Sequence, residues 1–157
     1  MAAYDTTTYL LDRANISDVC MRLVHYYDTF STGGEAGLRD RVFAGTVSVD
    51  YTAFGFAPPR DFTREEWVRE IGRLVGTFKA TQHSITGLVI DLPQPGPSSK
   101  RPSVVEVAAN ATGTLVKEGK TEHNGGRYQL ELVRDPVLQE KGLNPWRIRK
   151  HVAIRAW

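Results

Sequence analysis

The sequence predicts an α+β fold in which early helices cover one face of a strongly bent antiparallel sheet. Three observations carry this. Apolar residues recur with helical spacing as far as Val75, β-branched residues then replace the helix formers, and the pair Gly125–Gly126 interrupts a long strand-like run where a bulge would curve it. A chain of 157 residues suits one domain, 1–157, with one core. No internal repeat or second domain is visible.

From Asn15 the residues Ile16, Val19, Cys20, Leu23, Val24 and Tyr27 fall at three- and four-residue steps, which is a helix with one buried face, capped by Asn15 or Ser17. "STGGEAG" breaks that pattern, and "LRDRVF" allows a short helix before the alternating strand "TVSVDYTAF". A second amphipathic helix follows in "TREEWVREIGRLV". There Thr63 and Glu66 have capping-box spacing, and Trp67, Ile71, Leu74 and Val75 share one face. Strands are then expected in "TQHSITGLVID", "SVVEVAANATGTLVKE", "TEHNGGRYQLELVRD" and "PWRIRKHVAIRA". "LPQPGPSSKRPS" is too rich in proline for a strand interior and reads as an exposed loop, while "EGK" closes a hairpin. Such a sheet, bent under its helices, encloses a pocket.

Composition removes several function classes. Apolar residues make up 41% and charged residues 24%, an ordinary globular balance, and no apolar run is long enough to span a bilayer. The N-terminal stretch lacks a basic segment followed by an apolar one, so no secretory signal is expected and the cytoplasm is the default location. The sequons at Asn15 and Asn110 lie in segments read as structured and are discounted. A formal charge of +2, with basic residues scattered, gives no nucleic-acid footprint. One cysteine, Cys20, excludes an internal disulfide and a cysteine-rich metal site, and its helical neighbours make it a buried thiol. No glycine loop cradles a phosphate and no H-E-x-x-H stands on a helix, so neither a nucleotide cofactor nor a zinc ion is indicated.

Four positions could carry chemistry. Asp28 lies one turn beyond Val24, at the edge of the buried stripe that includes Tyr27; it is either a partly desolvated carboxylate in the pocket or the partner of an arginine. His83 opens a strand and is either a hydrogen-bonded wall residue or, if Asp28 reaches it, an oriented general base. Tyr51 either offers its phenol to the same cavity or is a core aromatic. His151 alternates with Trp146 and Ile148 and so faces away from them, toward the pocket or the exterior. His25 falls on the polar side of its helix, and His123 has no clear direction. Asn110, Thr112 and Thr114 share one strand face, either a polar pocket wall or solvated surface. Phe54, Phe56 and Trp67 could line the pocket or fill the core.

"LLDRANISDVCMRLVHYYDTF", "SVDYTAFG", "KATQHSITG", "GGRYQLELVRD" and "PWRIRKHV", taken together and in order, resemble the SnoaL-like branch of the nuclear transport factor 2-like superfamily. The resemblance covers nearly the whole chain except the proline-rich loop, and it implies a cone-shaped α+β barrel around a pocket. The fold hosts many chemistries. The nearest catalytic pattern is that of scytalone dehydratases, onto which Tyr27, Asp28, Tyr51 and His83 map. That family's second catalytic histidine falls near Thr114 or Leu115 and is missing, and its following Ser and Asn fall near Arg127 and Gln129.

What the resemblance implies is a dehydratase, cyclase or isomerase without cofactor or metal, acting on a polyketide- or terpenoid-derived small molecule of secondary metabolism. Asp28 and His83 would form the acid–base unit, with Tyr27 and Tyr51 on the developing oxyanion. His151 is the candidate replacement for the missing histidine. Phe54, Trp67, Asn110 and Arg127 are the expected substrate contacts. Two other readings stay open: a non-catalytic binding or accessory protein of the same fold, or an epoxide hydrolase in which Asp28 and Arg127 bracket a water. A homodimer is the expected assembly.

Overall fold

The computed structural model describes residues 4–157. Helix α1 spans Thr6–Asp28 and buries the predicted stripe, with Ile16, Val19, Cys20 and Leu23 fully shielded from solvent. It begins nine residues before the expected cap. Asp5 is the N-cap and accepts from the Thr8 amide at 2.8 Å. The earlier turns escape a periodicity search because the stripe position one turn before Ile16 is Asp12, a carboxylate that is nonetheless completely buried.

After α1 come a 3₁₀ turn at Phe30–Thr32, the short helix α2 (Gly34–Gly37) and a π-helical turn at Leu38–Val42, where a short helix was expected in "LRDRVF". Strand β1 (Phe43–Asp50) ends one residue before Tyr51, so Tyr51 stands on the turn that leaves the sheet rather than within the strand. A short edge strand β2 (Arg60–Thr63) pairs antiparallel with β1. Its four residues carry no alternation, and sequence reading passes over it. Helix α3 (Arg64–Val75) opens with the predicted capping box of Thr63 and Glu66 and buries Trp67, Val68 and Ile71.

Strands β3 (Ala80–Ile90), β4 (Val104–Lys117), β5 (Lys120–Arg134) and β6 (Trp146–Arg155) follow as expected, with a short helix α4 (Pro136–Glu140) between the last two. The β4–β5 hairpin turns at Glu118 and Gly119, both at positive φ. The sheet order is β2-β1-β6-β5-β4-β3, all antiparallel except the β1–β6 pair. β2 and β3 form its two edges, so the sheet is curved but open and does not close into the expected barrel.

Curvature comes from places other than Gly125 and Gly126. The β4–β5 register runs unbroken through both glycines. Their missing side chains instead admit β6 and the chain end: a Cβ on Gly126 would collide with the Ile154 carbonyl, and one on Gly125 with the Trp157 ring. The register shifts lie between Thr86 and Val89 in β3, where Gly87 takes φ 62°, in β6, where Leu132 pairs with Ile148 but Glu131 with Lys150, leaving Arg149 as the extra residue, and between Phe43 and Ser48 where β1 runs along β6. The second bulge has a direct consequence. Trp146 and Ile148 point into the core before it, and His151 and Ala153 point into the core after it.

Candidate active site

A cavity of about 630 Å³ lies between the concave sheet face, α3 and the end of α1. Its walls are largely apolar and aromatic, from Tyr51, Phe54, Phe56, Trp67, Phe78 and Tyr128. A volume of that size accommodates a drug-sized organic molecule.

Asp28 is the last residue of α1, and His83 is the fourth of β3. The helix crosses β3 at that point, and the two side chains meet with His83 Nδ1 2.7 Å from Asp28 Oδ1. The same carboxylate accepts the backbone N–H of His83 at Oδ2 (2.7 Å) and the hydroxyl of Thr81 at Oδ1 (2.9 Å). Burial alone would raise the Asp28 pKa, but the side-chain and backbone hydrogen bonds from His83, the imidazole's charge and Thr81 together hold it below the usual carboxylate range. An ionised carboxylate only accepts, so Nδ1 carries a proton, and in the neutral imidazole this leaves the lone pair on Nε2. Both side chains are 17–18% exposed, too little for free hydration; His83 lines the cavity and Asp28 stands behind it.

The position of Asp28 adds a second field. A helix C-terminus carries partial negative charge, so this end of α1 disfavours a lone carboxylate and favours a cation beside it. An imidazolium formed on His83 would sit against both the helix end and the Asp28 charge.

Tyr27, the neighbour of Asp28, is buried, and its hydroxyl lies 3.4 Å from that of Tyr51. Its ring meets His83 edge to face, with centroids 5.7 Å apart. Both tyrosines line the cavity beside His83. Burial pushes their phenols well above the ordinary value, so they are proton donors in this site.

Phe54 and Trp67 line the cavity, and Arg127 stands at its rim, exposed. Asn110 does not line it. Strand alternation gives the inner face of β4 to Ala109 and Ala111 and turns Asn110 outward to solvent. His151 is also placed differently from expectation. It is completely buried behind Tyr51, is not on the cavity wall, and desolvation pushes its pKa down to about 3. Walled off from the cavity, His151 does not stand where a second cavity histidine would meet a bound molecule.

Some lining residues were not legible in sequence. Tyr128 and Asn124 on β5 face inward, and Asn124 reaches across Gly113 toward His83: a Cβ at Gly113 would meet Asn124 Oδ1 at 2.9 Å and His83 Cδ2 at 3.4 Å. The glycine leaves the reacting side of His83 open. His123, which had no assignable direction, lies at the rim and approaches Thr114 Oγ1 at 3.1 Å, joining the cross-strand pair Thr114–His123. Among the described residues, no group of three or more His, Cys, Asp or Glu side chains could hold a metal ion, and no helix is long and apolar enough to cross a membrane.

The sequence profile of the SnoaL-like domain family matches residues 8–152. The chain belongs to the SnoaL-like domain family. Among curated proteins none matches it. Solved structures similar to this SnoaL-like chain include a protein of Kribbella flavida, at 20% identity and TM-score 0.76 over 98% of this chain and 94% of that one. A candidate scytalone dehydratase from Novosphingobium aromaticivorans is similar at 15% identity and TM-score 0.70, over 98% of this chain and 89% of that one. The hexachlorocyclohexane dehydrochlorinase LinA-type3 from Novosphingobium barchaimii is similar at 15% identity and TM-score 0.72, over 98% and 92% of the two chains. At these identities the likeness establishes the shared SnoaL-like fold, which includes neighbours of the nuclear transport factor 2-like kind.

Proposed function

We propose that this protein is a cofactor-independent acid–base enzyme that removes a proton from an acidic carbon or phenol of a small organic substrate. The observation that carries the reading is the 2.7 Å contact between His83 Nδ1 and the Asp28 carboxylate at the wall of an aromatic cavity. In the reaction, His83 Nε2 takes the proton, and Asp28 keeps the imidazole in the required tautomer and stabilises the imidazolium. Tyr51 donates to the oxygen that gains charge as an enolate forms, and Tyr27 donates to Tyr51 from behind it. Loss of a leaving group, ring closure or double-bond migration each proceeds from that enolate, with His83 returning the proton.

The names dehydratase and dehydrochlorinase, carried by two of the similar structures, both denote eliminations, and this favours a lyase-type outcome. The aromatic walls suit a planar, largely apolar substrate, and a polyketide- or terpenoid-derived compound of secondary metabolism fits that description. On the family resemblance, the working assembly is a homodimer, which sedimentation of the purified protein would check.

The test is turnover of a β-hydroxy ketone or phenolic polyketide by metal-stripped protein. Wild type should consume it, and His83→Ala should lower kcat/KM by about 10³-fold or more at unchanged fold. Wild-type protein that binds such compounds, seen as tryptophan quenching, yet converts none of them would instead favour a binding role. An H83A variant with wild-type rates would remove the proposed base.

A further inference from the structure

Behind the cavity wall, three side chains from distant parts of the chain converge on one point. The Tyr27 hydroxyl lies 3.5 Å from His151 Nδ1 and 3.4 Å from the Tyr51 hydroxyl, while Tyr51 lies 3.4 Å from His151 Nδ1 and 3.2 Å from Nε2. His151 is fully buried, and the Tyr128 ring packs edge to face against it at 4.6 Å between centroids. Solvent cannot reach it.

Counting protons shows what this triangle can do. A neutral imidazole brings one N–H, and each phenol brings one O–H, so the triangle has one proton for each edge, with the Tyr128 phenol a further hydrogen-bond partner of Tyr51. The contacts, at 3.2–3.5 Å, are long for hydroxyl hydrogen bonds. A loosely closed ring readily gives up one edge to a stronger acceptor. Of the two hydroxyls, that of Tyr51 belongs to the less buried residue. When its proton turns to an anionic oxygen in the cavity, its own oxygen can accept from both Tyr27 O–H and His151 N–H. Accepting two hydrogen bonds makes Tyr51 a better donor.

We infer that His151 is a positioning residue that holds the Tyr27–Tyr51 hydroxyl pair so that Tyr51 donates to an enolate or phenolate oxygen of the substrate. This rests on the acid–base reading of the same cavity. It assigns the buried histidine a part that its place behind the wall permits, support of a hydrogen bond without proton transfer to substrate. It also restricts the ligand: the favoured oxygen is anionic and near Tyr51. The downward push on the His151 pKa agrees, because an imidazolium would have no acceptor to offer either phenol.

The experiment measures dissociation constants for two probes of similar shape, 4-nitrophenolate in alkaline buffer and 4-nitrotoluene, with wild-type protein and the variants His151→Phe, His151→Gln and Tyr51→Phe. H151F should weaken 4-nitrophenolate about tenfold and leave 4-nitrotoluene within twofold. H151Q, whose amide can both donate and accept near the Nε2 position, should recover most of the phenolate affinity. Y51F should show the same selective loss, and Y51F combined with H151F should lose no more than Y51F alone. Equal loss for both probes in H151F would mean packing only and would overturn the inference; so would unchanged phenolate binding. Should H151F not fold, His151→Leu takes its place, and equal loss for both probes or unchanged phenolate binding there would overturn it equally. H83A separates this inference from the acid–base reading, because it should abolish turnover yet keep the preference for phenolate.

Discussion

Asp12 and Asp28 lie on the same helix, about 24 Å apart along its axis at roughly 1.5 Å per residue, and each is held by several hydrogen bonds. Their partners differ in kind. Asp12 is completely buried and receives paired N–H groups from Arg134 (2.7 and 3.0 Å) and Arg101 (2.8 and 3.0 Å), with the Trp146 indole N–H at 3.2 Å. Asp28 receives one imidazole N–H, one amide and one hydroxyl, and reaches the cavity only through His83 and Thr81, which line it. Burial would raise the Asp12 pKa, but both arginines and the indole hold it below the ordinary value. Arginine does not titrate in this range, so the Asp12 cluster can only fix structure. It ties α1 to the end of β5, the start of β6 and, through Arg101, the proline-rich loop. Histidine exchanges protons near neutral pH, so the same helix carries at its other end a carboxylate whose partner can do chemistry. Buried acid paired with base is therefore not by itself the mark of an active site; the partner's pKa and the access to a cavity decide.

That contrast is open to direct attack. The largest effect expected is on Asp28: Asp28→Asn should lower kcat/KM about 10²–10⁴-fold by releasing the His83 tautomer, while unfolding temperature shifts by a few degrees at most. An Asp28 variant that loses stability but keeps rate would make the two carboxylates alike. Next, Asp12→Ala should reverse the pattern. The largely buried Arg134 and the partly exposed Arg101 lose their counter-charge, which costs about 3 kcal/mol of stability, a fall of roughly 10 °C in Tm. Activity per folded molecule should survive.

pH separates the groups further. The unfolded His151 value is near 6.5 and its folded value is about 3, so the unfolded chain binds more protons between them. Its stability contribution is complete above about pH 6.5 and is lost as pH falls toward 3. The lowered pKa values of Asp12 and Asp28 give stability that is present above their ordinary value of 3.8 and lost only below it. Chemical denaturation across pH should therefore show a decline beginning near pH 6, and His151→Gln should flatten that part alone. A profile level down to pH 4 would contradict a neutral His151. The smallest effect belongs to the caps: Asp5→Ala at the start of α1 should lower the unfolding temperature slightly, by loss of the bond to the Thr8 amide, and leave catalysis untouched.

Much of this was legible from residues alone. The α1 stripe, the capping box of α3, the four long strands and the hairpin at Glu118–Gly119 each follow from local rules that act over a few positions. The proximity of Asp28 to His83 was an expectation raised by the stripe edge and by resemblance, and the helix crossing brings them together. What escaped reading did so for a shared reason. The start of α1 was hidden because Asp12 occupies an apolar stripe position, which is tolerable only with Arg101, Arg134 and Trp146 around it, residues some 90 or more positions away in the chain.

His151 and Asn110 show the same limit in the sheet. Strand alternation assigned His151 to the face opposite Trp146, and a single extra residue at Arg149 reversed it; alternation also left open which face of β4 was inner, and the helices settled that Asn110 faces out. By itself, then, the sequence determined where helices and strands lie and which residue types were at hand for acid–base chemistry, because propensity, capping and hydrophobic period are local. Only the tertiary structure decided which carboxylate meets arginines and which meets histidine, and which histidine reaches the cavity. Bulge phase, burial and charge pairing depend on chain segments that are distant in sequence and meet only when the sheet curves beneath its helices.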